Sequence, residues 1–221
     1  MFTIGLIDDE VSQLQWMRRV IKTNAPIGFR YEFKSYKLPE NDSDVVKYIT
    51  EQVMNDISAG KLSSLIIDYK LVIKTLKIKG TDIYNMIKEE VPKFPLIMLT
   101  EVVEESLKPA FIDADKVYKK RDFYKLESEY SKEKVSNIFD SMSKYLVQRD
   151  KLQVTLTELK SSLSSEGTNE EIISKIMDCE RQLDEFTPTD LTQIDKIFDV
   201  KKIKKVVELI EKANKLLEQE S

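Results

Sequence analysis

The segment KLSSLIIDYKLVIK, residues 61–74, contains an apolar run that ends abruptly at the carboxylate of Asp68. The N-terminal segment FTIGLIDDE has the same pattern, because its apolar residues are followed at once by Asp8 and Asp9. Short and continuously apolar runs are typical of strands that are covered on both faces of a parallel sheet. Both segments therefore predict buried strands that carry acidic residues at their carboxyl ends.

Helical patterns alternate with the strand patterns over the first part of the chain. The runs VSQLQWMRRVIKT, DVVKYITEQVMNDI and TDIYNMIKEEV place apolar residues at three- and four-residue steps. Further strand patterns are found in FRYEFKSY, FPLIMLT and DKVYK. This alternation predicts an α/β fold, a doubly wound five-stranded parallel sheet with helices on both of its faces.

Toward the C-terminus only helical patterns occur. Thr168 and Glu171 form a capping-box pattern at the start of one helix, and Pro188 is placed at the first position of a last, amphipathic helix. We expect an all-helical hairpin or bundle over residues 147–221, with the stripes of a dimerising coiled coil, after an α/β domain over residues 1–146.

The composition narrows the chemistry that the chain can perform. It has 221 residues, no histidine, one cysteine and a formal net charge of −4. The lack of histidine excludes a Ser-His-Asp triad and a histidine-bound zinc ion. The charge does not favour nucleic-acid binding, and one cysteine fits a reducing, cytoplasmic compartment. Since no apolar run approaches the roughly 20 residues that span a bilayer, no membrane association is expected.

The candidate site lies where the predicted strands end, because ligands of open parallel sheets bind beyond the carboxyl ends of the strands. Asp8 and Asp9 end the first strand, Asp68 the third and Thr100 the fourth. Three neighbouring carboxylates repel one another unless a hard cation lies among them, and oxygen ligands favour Mg²⁺. The Thr100 hydroxyl and a lysine of the pair at residues 119–120 suit the oxygens of a phosphoryl group.

The segments LIDDE, LIIDYK, FPLIMLTE and DADKVYKKRDF occur in this order. Together they resemble the receiver domain of two-component response regulators over residues 1–146. The resemblance implies a flavodoxin-like sheet and makes Asp68 the phosphoacceptor. It also implies that Mg²⁺ is bound by Asp8, Asp9, Asp68 and the backbone carbonyl of Lys70.

The same resemblance assigns roles to the end of the sheet and to the partners. Thr100 is similar to the hydroxyl that turns toward the acyl phosphate, and a lysine binds the phosphoryl oxygens. The spacing from Thr100 favours Lys120 for this role, with Lys119 as the alternative. The implied partner is a histidine kinase or a phosphotransfer protein, so we expect a signalling protein or relay that is not an enzyme with a separate substrate.

Several positions depart from the receiver pattern. The glycine expected soon after the phosphoacceptor Asp68 is found late, at Gly80, which lengthens the loop, and Glu101 replaces the small residue after Thr100. A phosphatase of the haloacid-dehalogenase type is disfavoured, because it needs an aspartate where Lys70 stands. The departures leave open a pseudo-receiver, a scaffold that is not phosphorylated and acts through its helical tail.

The tail has no signature of a DNA-binding or enzymatic output domain. Acidic residues outnumber basic ones from Ser128 onward, and the basic cluster at residues 201–205 is interleaved with apolar residues. We expect the tail to act by protein–protein contact, with a second copy of the chain or with another protein. A helical cap that only completes the fold is the other interpretation.

Overall fold

The parallel sheet expected from the strand patterns forms the centre of the fold. The computed structural model describes residues 1–39, 44–73, 76–101, 114–166 and 170–188. The strands in chain order are β1 (Phe2–Ile7), β2 (Tyr31–Ser35), β3 (Ser64–Asp68), β4 (Lys70–Ile73), β5 (Leu76–Lys79), β6 (Leu96–Thr100) and β7 (Val117–Lys119). Five of them pair in parallel, in the order β2-β1-β3-β6-β7. The predicted α/β fold with a five-stranded parallel sheet is therefore confirmed.

Helices cover both faces of this sheet. They are α1 (Val11–Asn24), α2 (Val45–Ser58), α3 (Gly80–Glu90), the single turn α4 (Lys120–Phe123), α5 (Glu129–Glu166) and α6 (Glu170–Asp184). Successive residues of a strand point to opposite faces, so the core is divided into two apolar clusters. Ile67 and Met98 pack with α2 and α3, whereas Ile66 and Leu99 pack with α1 and α5. Each fully buried side chain of this size contributes about 1.5–3 kcal/mol.

An antiparallel hairpin replaces the long loop that we expected between β3 and the helix that starts at Gly80. It consists of β4 and β5, in which Leu71 is paired with Ile78. Both of these side chains are buried in the core cluster of α2 and α3, which holds the hairpin against the domain. The backbone N–H of Gly80 donates a 2.8 Å hydrogen bond to the carbonyl of Tyr69. The residues just before and just after the hairpin are therefore neighbours.

The helices at the C-terminal side pack on the sheet and on each other. Helix α5 is continuous across residue 146, and the domain boundary predicted there stays a prediction. The Cys179 thiol of α6 donates to the carbonyl of Leu152 in α5, at 3.3 Å. After α6, the carbonyl of Phe186 accepts a 2.6 Å hydrogen bond from the Tyr145 hydroxyl of α5. The predicted helical region is thus confirmed as far as it is described.

Some predictions for the tail concern residues that the structure does not describe. Thr168 and the helix expected after Pro188 lie outside the described residues, as does the basic cluster at residues 201–205. Of the described helices, none is long and apolar enough to cross a membrane.

Candidate functional site

The register of the parallel strands places two of the predicted acidic residues at the same edge of the sheet. Ile7 of β1 is paired with Ile67 of β3, so the residue that follows each of them, Asp8 or Asp68, reaches the same level. Both carboxylates are buried, with residue exposures of 5% for Asp8 and 6% for Asp68. Two acidic side chains that are 60 positions apart in the sequence thus become neighbours.

The side chain of Lys120 joins the two carboxylates. Its Nζ lies 2.7 Å from Oδ1 of Asp68 and 3.1 Å from Oδ2 of Asp8. Lys120 is the first residue of α4, directly after β7, and its side chain is only 12% exposed. One ammonium group is therefore bound by two buried carboxylates from two different strands. Such charge-assisted hydrogen bonds are among the strongest in proteins.

Backbone amides satisfy the remaining carboxylate oxygens. The N–H of Glu10 donates to Oδ1 of Asp8 at 2.9 Å, and the N–H of Lys70 donates to Oδ2 of Asp68 at 3.0 Å. Both bonds span two residues, the local pattern by which an aspartate stabilises the turn after a strand. Each carboxylate is thereby held in one orientation before any ligand arrives.

The other residues predicted for the site differ in how close they come to this centre. Thr100 is buried, 1% exposed, at the end of β6 beside β3. Asp9 is exposed at the rim, and its negative charge adds a small contribution to the burial that raises the pKa of Asp8. Lys119 is exposed and faces away, since its Nζ lies 3.8 Å from the Asp122 carboxylate. Of the two candidate lysines, Lys120 is the one that contacts the carboxylates.

Burial and charge set the protonation of the three central groups. Burial raises the pKa of Asp68 to about 6, and the positive charge of Lys120 opposes this shift. Burial also raises the pKa of Asp8. Burial lowers the pKa of the Lys120 ammonium, but the two carboxylates outweigh it, so the net pKa is raised. The ammonium benefits from two carboxylates, whereas each carboxylate shares one cation.

Asp68→Asn is expected to be more stable than the wild type at pH 8 and about equally stable near pH 4. The folded pKa of Asp68, about 6, exceeds the ordinary value of 3.8, so folding is favoured below pH 3.8 and this advantage is lost as the pH rises through 6. This difference in pKa corresponds to about 3 kcal/mol of folding free energy that the wild type loses as the pH rises. Asparagine has no charge to bury and does not lose it.

Urea unfolding from pH 4 to pH 8 in the presence of EDTA measures this difference. Asp122→Asn is the control, because the hydrogen bond from Lys125 lowers the pKa of this half-buried carboxylate instead of raising it. An Asp68→Asn advantage that is the same at pH 4 and pH 8 would show that the charge of Asp68 does not cause it.

The donor atoms of the centre fit a hard cation such as Mg²⁺. Asp8 and Asp68 offer only oxygen atoms, and together they carry one more negative charge than Lys120 neutralises. Within the described ranges, no three acidic or cysteine side chains are grouped closely enough to hold a metal ion by themselves. Mg²⁺ commonly takes one or two carboxylates and keeps several water molecules, which is compatible with this pair.

A surface cleft borders the acidic residues at the end of β1. Its walls include Asp8 and Asp9, Val11 at the start of α1, Lys37 after β2 and Val72 of the hairpin. The cleft is open to solvent and reaches the site at Asp8.

Tyr124 belongs to the same region, although it is part of none of the predicted site motifs. Its ring centroid lies 5.8 Å from Nζ of Lys120, four residues earlier in the chain. Residues four apart share one face of a helical turn, and this spacing from the predicted lysine is the signal that identifies it.

A comparison with protein-family models finds no family that matches this chain, and a comparison with curated proteins finds none that is similar to it.

Proposed function

We propose that this chain is a response regulator that accepts a phosphoryl group on Asp68 from a phosphohistidine of a partner protein. The observation that carries the proposal is the binding of one largely buried ammonium, that of Lys120, by Asp8 and Asp68 together. Asp68 therefore has a cation beside it and a second carboxylate nearby. This arrangement suits the addition and removal of a charged phosphoryl group.

The strand order supports this proposal. When the hairpin is left aside, the order β2-β1-β3-β6-β7 corresponds to the flavodoxin-like order 2-1-3-4-5. In that arrangement the order reverses between the first and third parallel strands, and ligands bind at this switch point. Asp8 follows β1 and Asp68 ends β3, so the two carboxylates flank the switch point.

The proposed transfer is a substitution at phosphorus. A carboxylate oxygen of Asp68 forms the new P–O bond while the P–N bond to the donor imidazole breaks. The imidazole nitrogen keeps the bonding electron pair, which can then accept a proton. Lys120 neutralises charge on the phosphoryl oxygens, and the Thr100 hydroxyl contacts one of them. Asp8 and Asp68 would hold Mg²⁺, with Asp9 and the Lys70 carbonyl as the further ligands that the receiver resemblance implies, and the bound ion would supply further charge neutralisation. The carboxylate of Asp68 is the reactive form, which predominates above pH 6.

The proposed output is a protein–protein contact made by the helical region, in a cytoplasmic signalling or relay pathway. Apolar side chains on the outer faces of α5 and α6 are exposed, with 67% for Val147, 57% for Val154 and 66% for Met177. Apolar side chains at such positions suit another helix, from a second copy or a partner, better than the phosphates of nucleic acid.

A pseudo-receiver scaffold is the second candidate, and one observation favours it. Lys120 already binds both carboxylates, so each of them has a cationic partner without a phosphoryl group or a metal ion. Such a protein would keep the fold for its helical region and would not react at Asp68.

Incubation with acetyl phosphate and Mg²⁺, followed by intact-protein mass measurement, tests the proposal. We expect the wild type to gain one phosphoryl group and Asp68→Asn to gain none. Loss of the adduct in hydroxylamine, which cleaves acyl phosphates, identifies the carboxylate linkage.

Asp56→Asn is a matched control, because Asp56 is also buried and is bound by Lys34 and by the Tyr36 hydroxyl, outside the site. It should be phosphorylated like the wild type. An unreactive wild type under all Mg²⁺ concentrations would favour the scaffold, and an adduct that persists in Asp68→Asn would refute Asp68 as the acceptor.

A further inference from the structure

Tyr124 is held against Lys120 by contacts on its backbone and its ring. Its backbone N–H donates to the carbonyl of Lys120 at 3.0 Å, which closes the turn α4. The ring lies 5.8 Å from the Lys120 Nζ and is stacked on Trp16 of α1, with centroids 6.5 Å apart and planes inclined by 23°. A cation is attracted to the face of an aromatic ring. The Tyr124 ring therefore helps to position the ammonium that binds the carboxylates.

In the part of the chain that the structure describes, the hydroxyl of Tyr124 has no hydrogen-bond partner, unlike most buried phenols. It is buried, and among the described residues no donor or acceptor is within hydrogen-bond distance. An unpaired buried hydroxyl is unfavourable, and a phenylalanine at this position would avoid that cost. The ring contacts with Lys120 and Trp16 therefore account for an aromatic residue here but not for its hydroxyl group.

The surroundings of this hydroxyl are acidic. Burial raises its pKa, and the negative charges of Asp8, Asp68, Glu101 and Glu10 raise it further, in that order. The phenol therefore stays protonated at neutral pH and can donate a hydrogen bond. Its acidic neighbours lie at the same edge of the sheet as the Lys120 ammonium.

We propose that the Tyr124 hydroxyl donates a hydrogen bond to a phosphoryl oxygen on Asp68, next to the charged contact from Lys120. This inference rests on the proposed function, and it adds a binding residue to that same site. A phosphoryl group presents three oxygens with several lone pairs, so it can accept a hydrogen bond from this hydroxyl in addition to its contacts with Lys120, Thr100 and Mg²⁺. The hydroxyl without a partner is thus a donor that becomes satisfied when the anion is bound.

Beryllofluoride, an anion that binds carboxylates as a phosphoryl mimic, is the probe for this inference. Trp16 is the only tryptophan in the chain and stacks on Tyr124, so its fluorescence reports on the site. We expect Tyr124→Phe to weaken beryllofluoride binding in the presence of Mg²⁺ by about tenfold or more, as for loss of a hydrogen bond to a charged group. Phosphorylation by acetyl phosphate should slow to a similar extent.

Stability separates this role from a structural one. Tyr124→Phe keeps the ring contacts and removes an unpaired polar group, so its midpoint of urea unfolding should equal or exceed that of the wild type. Tyr130→Phe is the control: its hydroxyl accepts a 3.0 Å hydrogen bond from the backbone N–H of Lys119, outside the site, and its beryllofluoride affinity should match the wild type.

The outcomes distinguish the two proposals. Wild-type beryllofluoride affinity in Tyr124→Phe, while Asp68→Asn does not bind the anion, would overturn the role of Tyr124 and leave the proposed function intact. A wild type that takes up neither beryllofluoride nor a phosphoryl group would overturn both. A Tyr124→Phe variant that is less stable and also binds weakly would indicate a structural role and overturn the inference.

Discussion

Lys120→Met is expected to lower the free energy of unfolding by about 3–5 kcal/mol at pH 7, the usual consequence of removing one partner from a buried ion pair. The substitution keeps much of the side-chain volume but leaves Asp8 and Asp68 buried without their shared cation. The pKa values of both carboxyl groups are already raised by burial and will rise further. The loss should therefore shrink as the pH falls toward 4, where both groups bind a proton.

Urea unfolding at several pH values in EDTA measures this effect, with Lys119→Met as the neighbouring control. Lys119 is exposed and pairs loosely with Asp122, so its replacement should change stability by no more than about 0.5 kcal/mol. Adding Asp68→Asn to Lys120→Met should restore part of the stability, because one of the two buried charges is removed. Equal losses for the two lysine variants, or a loss that does not depend on pH, would contradict this account of the site.

Gly80→Ala is expected to cost about 3 kcal/mol and to abolish the proposed phosphorylation of Asp68. A Cβ atom at Gly80 would lie 2.1 Å from the carbonyl oxygen of Asp68 and 2.9 Å from a methyl group of Ile67. The carbonyl belongs to the backbone and cannot rotate away, so the end of β3 must shift. That shift would move the carboxylate of Asp68 relative to Lys120, and both unfolding and acetyl phosphate assays should show it.

Gly60→Ala is the control that separates crowding from backbone conformation. Gly60 has a φ of +64°, which disfavours alanine by roughly 1–2 kcal/mol, but no atom lies within 4 Å of the added Cβ. We expect this variant to be moderately destabilised and to react with acetyl phosphate normally. A Gly80→Ala protein as stable and as reactive as the wild type would show that the contact with Asp68 is easily relieved.

The fold was predicted in outline because its signals are local. Continuous apolar runs such as SLIID and LIMLT mark strands that are covered on both faces, and the helical stripes mark what covers them. The β4–β5 hairpin was missed, although Ile78 lies between Lys77 and Lys79 in a strand-like alternation. A two-stranded hairpin has little stability of its own, so its formation depends on burying these two side chains in a core that is built by other elements.

The site was predicted less completely than the fold. The positions of Asp8 and Asp68 at strand ends could be read from the sequence, whereas the spacing from Thr100 favoured Lys120 over Lys119 without deciding between them. The two lysines are adjacent, and the change from strand to helix between them decides which side chain turns toward the carboxylates. The unpaired hydroxyl of Tyr124 depends on its neighbours in three dimensions and has no sequence signal.

The pattern of apolar and polar residues specifies where each strand ends, because this pattern depends only on neighbouring residues in the sequence. It therefore also specifies which acidic residues reach the carboxyl edge of the sheet. The sharing of one ammonium by two carboxylates arises only in the folded protein, since Lys120 is 112 positions from Asp8 and 52 from Asp68. Hydrogen-bond distances across such separations depend on the register of paired strands and on packing of the core, and both are set by the whole domain at once.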